Sequence, residues 1–436
     1  MAPYTGRSAS WFSVTMAPDT VQVAIHGPET GRYWPLDVMR EMSLPTESWE
    51  GRRVVVTGQS SVVLYAHVGA VAARNGASGI TVKQAQGTIT HTPADVRGNR
   101  IALGRITRLD RGATVVGWDL PRPPAKTRGL ESLVSEIPML VGTLDVVLAG
   151  RAPVGLYAAA AFAAVRDGVA TVRALSMIDG VVVVHAVDRS RLGAAIVPVA
   201  GSDLARACGT SPTARGVALG VVGDPNCGKS VLSQAIDSAR GVAGIRGWRF
   251  DCDLAAPTAE WFLELVGQDR ELEARQLRDP GKLEWTPALE KAAADRLQVV
   301  KANAGLVVAD LPGGRHYVDP PVRIPSTRQG LFRTADHFVL LGRDSSGHEA
   351  WRRELKTLGL TDRIYAEIVS RDPTGVPEGA VELGIDGVWR GTFSGLDRSQ
   401  RMIDLLAGLA PALTAFLLPL DPESADAGNA EDSPSA

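Results

Sequence analysis

Short runs of β-branched and aliphatic residues recur along the chain, most of them closed by a glycine, with longer Ala-, Leu- and Val-rich stretches between them. Val54–Thr57, Val146–Ala149, Gly216–Val222, Gly305–Ala309 and Phe338–Leu341 have the length and composition of buried strands. Ser61–Arg74 and Pro153–Arg166 are rich in good helix formers over several turns and predict helices. Strands alternating with helices predict an α/β chain.

The pattern repeats. Val54-Val55-Val56-Thr57-Gly58 returns as Val146-Val147-Leu148-Ala149-Gly150, and Leu64-Tyr65-Ala66 as Leu156-Tyr157-Ala158. Ala73-Arg74-Asn75-Gly76 returns as Val165-Arg166-Asp167-Gly168, at the same offset of 92 residues. The amphipathic segments Leu36–Pro45 and Leu130–Pro138 resemble one another, and both end in proline. Two copies of one α/β unit predict a pseudo-twofold pair, with a site at their junction. The expected layout is a flexible lead-in over 1–18, unit one over 19–109, unit two over 110–200 and a linker over 201–214. A nucleotide domain over 215–418 and a disordered acidic tail over 419–436 complete it.

After the linker comes Gly223-Asp224-Pro225-Asn226-Cys227-Gly228-Lys229-Ser230, which meets every fixed position of the phosphate-cradling pattern G-x-x-x-x-G-K-[ST]. A strand precedes it, and a helix beginning near Val231 follows, so backbone N–H groups and a helix N-terminus face one anion. Gly223 and Gly228 let the backbone wrap phosphates, Lys229 reaches the β/γ-phosphates and Ser230 ligates magnesium. A second magnesium carboxylate is expected at the end of a buried strand. Asp310 closes Gly305–Ala309, and with Gly313 it forms D-x-x-G, whose glycine N–H senses a γ-phosphate. Asp253 and Glu260 are candidates to orient a water or an acceptor, with a solvated loop or an N-cap as the alternative. Arg343 follows another buried strand, near where the phosphates should sit. The guanine-reading N-K-x-D motif is missing, so ATP with Mg2+ is the expected cofactor pair.

Composition narrows the reading. The chain is 45% hydrophobic and 22% charged, with a formal net charge of −2, so no global positive field recruits genomic DNA. Cys208, Cys227 and Cys252 are too few and too scattered for a disulfide framework. Val154–Val165 and Leu405–Leu420 are the longest apolar runs and read as buried helices, so a cytoplasmic protein without a membrane span is expected.

The repeat units resemble the CRISPR-associated ring nucleases of type III systems, the family once described as manganese-dependent RNA deadenylases. The resemblance rests on Gly150-Arg151-Ala152-Pro153-Val154-Gly155-Leu156-Tyr157, close to a G-R-x-P pattern, and on the segments ending Ser43-Leu44-Pro45 and Glu136-Ile137-Pro138. The first copy, Gly58-Gln59-Ser60-Ser61-Val62-Val63-Leu64-Tyr65, lacks the arginine and proline. The resemblance implies dimer-like pairing around a cyclic oligoadenylate, held by Gly58, Gln59, Ser60 and by Gly150, Arg151, Ala152, Pro153, and a homo-oligomer. It also implies the fold class: two tandem small α/β ring-nuclease-like domains followed by a P-loop NTPase domain of three α/β/α layers. Where the family has a catalytic histidine and aspartate, this chain has Gly76-Ala77 and Gln84-Ala85, then Gly168-Val169 and Ser176-Met177. None of these can act as acid, base or ligand, so binding is implied more directly than ring cleavage. His67, His91 and His185 lie nearby. The leading expectation is a signal-responsive ATPase of type III CRISPR antiviral defence. A P-loop kinase acting on a nucleotide or small molecule, and a non-catalytic nucleotide-binding scaffold, are the alternatives.

Overall fold

The protein is described by a computed structural model over residues 12–25, 49–58, 60–84, 87–92, 104–109, 113–119, 137, 139–176, 180–196, 202–208, 216–245, 247–256, 258, 260–279, 285–314 and 318–420. The first eleven residues, Gln59, the two amphipathic segments apart from Ile137, and the tail from 421 lie outside the described residues. The chain divides into two compact units, Met1–Gly209 and Thr210–Ala436. It is an α/β protein with three mixed sheets.

In the first unit the hydrophobic repeat becomes a structural one. Strands β1 (Phe12–Met16), β2 (Thr20–Ile25), β3 (Arg53–Gly58), β4 (Gly79–Gln84) and β5 (Gly87–His91) lie in that order in one sheet. The inner pairs β2–β3 and β3–β4 are parallel, and the outer pairs β1–β2 and β4–β5 are antiparallel. Strands β6 (Gly104–Arg108), β7 (Ala113–Asp119), β8 (Asp145–Arg151), β9 (Thr171–Ser176), β10 (Gly180–Ala186) and β11 (Ala195–Ile196) form a second sheet with the same sequence of pairings and one added edge strand. Helix α1 (Val62–Arg74) follows β3 and α2 (Val154–Arg166) follows β8, each 13 residues long.

Three expected boundaries move. Phe12–Met16, placed in a flexible lead-in, is a strand that buries Phe12 and Val14 and forms a hairpin with β2. Gly104–Arg108, placed in unit one, pairs with β7 in the second sheet. Phe12 and Gly104 are again 92 residues apart, so the repeat reaches further upstream than its apolar runs reveal. Both segments are five residues long, and their pairing rather than their composition makes them strands. Within the expected linker, Asp203–Cys208 forms the short helix α3, and Cys208 packs with Val115, Val147, Ala149, Leu175 and Val181.

Small residues set how the two copies join. Ala66, Gly69, Ala70, Ala72 and Ala73 of α1 are buried, as are Ala158–Ala161, Ala163 and Ala164 of α2. The two helices pack on each other at very short range: a Cβ added to Gly69 would sit 2.1 Å from the Ala158 carbonyl oxygen. Each helix also rests on the other copy's sheet, α1 on β9 and β10 and α2 on β4 and β5. The two copies therefore share one core.

In the second unit the strands are β12 (Val217–Gly223), β13 (Gly247–Asp251), β14 (Leu306–Asp310), β15 (His337–Gly342), β16 (Ile364–Ser370), β17 (Glu378–Leu383) and β18 (Trp389–Ser394). Their order is β13-β14-β12-β15-β16-β18-β17, parallel except for β17 at the edge. The central strands β12, β14 and β15 are buried almost throughout, which matches their unbroken apolar runs. The helices are α4 (Lys229–Val242), α5 (Glu260–Val266), α6 (Glu271–Arg278), α7 (Pro287–Ala304), α8 (Gln329–Thr334), α9 (Ser345–Thr357) and α10 (Met402–Leu417). They complete a three-layer α/β/α domain. Local signals set their ends. Thr286 caps α7 by accepting from Leu289 N at 3.2 Å, Pro287 opens it and Gly305, at φ +73°, ends it. Met402–Leu420 is the one described helix long and apolar enough to cross a membrane. Its Leu405, Leu409, Leu413 and Phe416, a single stripe, are buried, and α10 packs on α4 and β17.

His67 on α1 and His185 on β10 stand where the copies meet. His67 Nδ1–H donates to the Val184 carbonyl at 2.7 Å, which leaves Nε2 buried and without a partner among the described residues. Burial pushes both histidines down to about 4, and neighbouring Arg74 adds to the shift. Each is thus neutral in the fold and protonatable once unfolded. Stability is whole above the ordinary value of 6.5 and falls as pH drops from there toward about 4, by ~1.4 kcal/mol per pH unit for a fully buried histidine. His67→Asn keeps a donor for Val184 and removes the titration. Denaturation of wild type and variant at about pH 7 and about pH 5 should show a clearly smaller loss in the variant. Equal losses would rule His67 out as the sensitive group.

Candidate functional site

The P-loop pattern is realised as strand, tight loop and helix. β12 ends at Gly223 and α4 starts at Lys229. Between them Asn226 and Gly228 take left-handed backbone angles, φ 62° and 93°. A Cβ on Gly228 would lie 2.6 Å from the Leu396 carbonyl oxygen, so both the turn and the close approach of residue 396 require glycine. Gly223 is similarly confined, by Leu341 and by the Cys227 sulfur. Cys227 is buried and its thiol is pushed up to about 11 by that burial, so it packs rather than reacts. Helix α4 has no side-chain cap, and its first N–H groups and positive dipole end are directed at the loop. Val231 is buried in its first turn.

Other elements hold the loop. Asp224 accepts a two-pronged pair from Arg323, at 2.8 and 2.7 Å, and a 2.9 Å bond from Trp351 Nε1 on α9. Arg343, expected near the phosphates, donates to the Asn226 carbonyl at 3.1 Å. Gly313 borders the loop, with its Cβ position 3.8 Å from the Gly223 oxygen and 4.0 Å from Pro225 Cγ. The Gly313 carbonyl accepts from Arg328 at 2.8 Å, and Arg328 is in turn held by Glu290 at 3.2 Å and stacked over Trp285.

Asp310 is the centre of the site. Strand β14 lies directly beside β12, with Asp310 in register with Val221, and β13 on the other side puts Asp251 in register with Asp310. The Asp310 side chain is buried and meets Lys229 Nζ at 2.5 Å through Oδ1 and Arg249 Nη2 at 2.8 Å through Oδ2. The Ser233 hydroxyl lies 3.2 Å from Oδ2 and accepts from Arg249 Nε at 3.0 Å, and the Ser230 side chain also bonds the carboxylate. Burial would raise Asp310, but Lys229 and Arg249 outweigh it and hold the group below the usual carboxylate range. Lys229 is the mirror case: burial pulls it down, and Asp310 with Asp251 and Asp253 lifts it above its ordinary value. Asp251 is raised to about 7 by burial and by the charge on Asp310, against the pull of Arg249.

The structure thus brings together Lys229, Ser230 and Asp310 with the loop 223–228 and Gly313. Asp253 is close enough for its charge to lift Lys229, while its Oδ1 accepts from Ala256 N at 3.1 Å and shapes the turn after β13. Glu260 opens α5, and its side chain lies outside the described residues. Arg249, Ser233 and Asp251 belong to the site and were not singled out by sequence. Arg249 and Asp251 are two apart on one strand and so share a face, which is a readable signal, but their target Asp310 is about sixty residues away. Among the described residues no group of three or more His, Cys, Asp or Glu could hold a metal ion. Ser230 and Asp310 together suit magnesium, which takes few protein oxygens and completes its shell with water and phosphate.

In the first unit, Gly58 ends β3 and Gly150 is the last residue but one of β8, with φ 108° and 96°, and a Cβ on either would lie 2.0 Å from a carbonyl oxygen of the adjacent strand. Tyr65 and Tyr157, at matched positions, donate their hydroxyls to the carbonyls of Gly58 and Gly150, at 2.5 and 2.7 Å. The helix starts then differ. Ser61 caps α1, whereas α2 begins after Ala152 and Pro153 with no cap of its own, and Gly155 N donates to Gln84 Oε1 of the other copy at 3.1 Å. The Ser60 hydroxyl is buried without a partner among the described residues. Arg151 closes β8, and its side chain, like all of Gln59, is outside the described residues. His67, His91 and His185 are all buried, in packing roles.

The site's stability should follow its charges. Asp310→Asn leaves two buried cations facing a neutral amide, whereas Lys229→Met leaves Asp310 still paired with Arg249. Urea denaturation should show a loss of about 3–5 kcal/mol for Asp310→Asn and a markedly smaller one for Lys229→Met. The reverse ranking would mean that Lys229, not Asp310, is the hub.

No protein-family model matches the chain, and no curated protein matches it.

Proposed function

We propose that the second unit binds ATP with magnesium on residues 223–230 and hydrolyses or transfers its γ-phosphoryl group. The observation that carries this reading is the buried meeting of Lys229, Ser230 and Asp310 at the loop and the N-terminus of α4. Backbone N–H groups of the loop and the first turn of α4 would cradle the phosphates. Lys229 would leave Asp310 for the β/γ-phosphate oxygens, and Arg249 would keep Asp310 ionised and oriented once it has gone. Ser230 and Asp310 would hold the magnesium, whose charge offsets the negative charge on the phosphates. Gly313, anchored through Arg328, would meet the γ-phosphate end.

The first unit is proposed to bind a cyclic oligoadenylate-like ligand, and the whole to be a signal-responsive ATPase of type III CRISPR antiviral defence. Support comes from the paired glycine turns at Gly58 and Gly150 and from Gln84 of one copy reaching the helix start of the other. A second reading, phosphotransfer to an acceptor, is favoured by Asp251, a buried carboxylate beside Asp310 raised to about 7, within the range of a general base at neutral pH.

ATP turnover by wild type and Lys229→Ala, with and without cyclic tetra-adenylate, tests the proposal. Wild type should release phosphate, and Lys229→Ala should lose roughly a hundredfold or more while remaining folded. Cyclic tetra-adenylate should change the wild-type rate, and Arg151→Ala should blunt that change. ATP binding without turnover would leave the scaffold alternative, and phosphate found on an added acceptor would select the kinase. Turnover indifferent to the cyclic ligand, with no calorimetric binding of it, would sink the signalling role.

A further inference from the structure

Within the loop that would hold phosphates stands an acid. Asp224 is the second residue of Gly223–Ser230, a stretch whose backbone N–H groups suit an anion, and an uncompensated carboxylate there would repel the ligand. Its main chain is part of the turn, since the Asp224 carbonyl accepts from Cys227 N at 3.4 Å. Its charge bears on the Cys227 thiol, and so does the charge of Lys229, so acid and lysine act on one point of the same short loop. A loop built for phosphate must therefore have its own negative charge cancelled.

The cancelling charge comes from outside the loop. Arg323 Nε donates to Asp224 Oδ1 at 2.8 Å and Nη2 to Oδ2 at 2.7 Å, the fork-on-fork geometry that sets one positive charge against one negative. Trp351 Nε1 adds a neutral donor to Oδ1 at 2.9 Å. The Arg323 and Asp224 side chains are 15% and 33% exposed, so water screens the pair less than it would on an open surface. Arg323 is itself firmly placed. Its main-chain N–H donates to Glu354 Oε1 at 3.1 Å, and its Cα passes so near Gly314 that a Cβ on that glycine would lie 2.3 Å away. Gly314 follows Gly313, whose own Cβ position is 3.8 Å from the Gly223 oxygen, so the turn after Asp310 sets Arg323 against the loop. A guanidinium in this place has two uses, as a phosphate ligand or as the counter-charge of Asp224. Both Nε and Nη2 are spent on the carboxylate, which favours the second.

We propose that Arg323 is a positioning residue for polyphosphate binding: by neutralising Asp224 it keeps the loop 223–230 receptive to the phosphate groups of a nucleotide. This role rests on the ATP reading above, and it names the residue on which the charge balance of the loop depends.

The test is calorimetric titration of the full-length protein with a non-hydrolysable ATP analogue and magnesium, on wild type, Arg323→Gln, Asp224→Asn and the double variant. Arg323→Gln should weaken binding roughly tenfold or more, and the loss should shrink at high salt. Arg323→Lys, which keeps the charge and loses the fork, should recover part of it. Asp224→Asn should tighten binding several-fold, because Arg323 then adds an unspent positive charge, and in the double variant it should restore most of what Arg323→Gln loses. A pair that only shapes the loop gives a different pattern, with both single variants weaker than wild type and the double variant no better than Arg323→Gln. That pattern, or equal affinity of wild type and Arg323→Gln, would overturn the role of Arg323. Where Arg323→Gln does not fold, Asp224→Asn decides alone, and weaker binding by it counts against the role. No binding of the analogue by wild type refutes the ATP reading and this role with it, whereas binding without the rescue refutes the role of Arg323 alone.

Discussion

The second unit depends on one buried carboxylate. Asp310 sits on the central sheet between a lysine and an arginine from different elements, and neither cation has another acid within bonding distance of comparable quality. A charge is tolerated in such a place only because opposite charges and hydroxyls surround it. The ionised state of Asp310, the raised proton affinity of Lys229 and the near-neutral titration of Asp251 are consequences of one another. Lys229 is held by Asp310, and Arg249 would still neutralise Asp310 if the lysine were drawn away. Clamping of Asp224 by Arg323 and Trp351 ties the same loop to the chain that follows Asp310.

The first unit rests on a different constraint, the thinness of two helices. Alanines and Gly69 bring α1 and α2 together until main chain nearly meets main chain, and each helix then covers the other copy's sheet. Neither copy could bury its helix alone in the same way. Exchange of partners also explains why Gln84 caps the helix of the opposite copy and why His67 bonds across to Val184. Near-identity of the two strand ends, with Tyr65 and Tyr157 holding Gly58 and Gly150, coexists with different helix starts. The duplicated unit is symmetric in backbone and asymmetric in the chemistry it presents.

Much was legible without coordinates, because local rules act locally. The apolar runs ending at Gly58, Gly150, Gly223 and Asp310 became strands, and the alanine-rich stretches after the first two became helices. Gly223 and Gly228 marked places where a neighbouring chain leaves no room for a Cβ. Phe12–Met16 and Gly104–Arg108 were missed because five residues of alternating pattern are weak evidence for a strand until a neighbour pairs with them. Asp253 was named and Asp251 was not singled out, because proximity in sequence cannot say which carboxylate lies beside Asp310. The register of β13 against β14 decides it, aligning Asp251 with Asp310.

By itself the sequence determined the α/β class, the duplication at an offset of 92 residues, the strand, glycine loop and helix around residues 223–230, and the position of Asp310 at a strand end. Those are properties of periodicity, glycine placement and short motifs, which depend on neighbours within a few residues. Tertiary structure alone decided that β14 lies beside β12, that Arg249 shares Asp310 with Lys229, and that Arg323 meets Asp224. These pairings join residues far apart in the chain. Their energies come from burial and from charges held at bonding distance, and neither exists until the sheet has assembled.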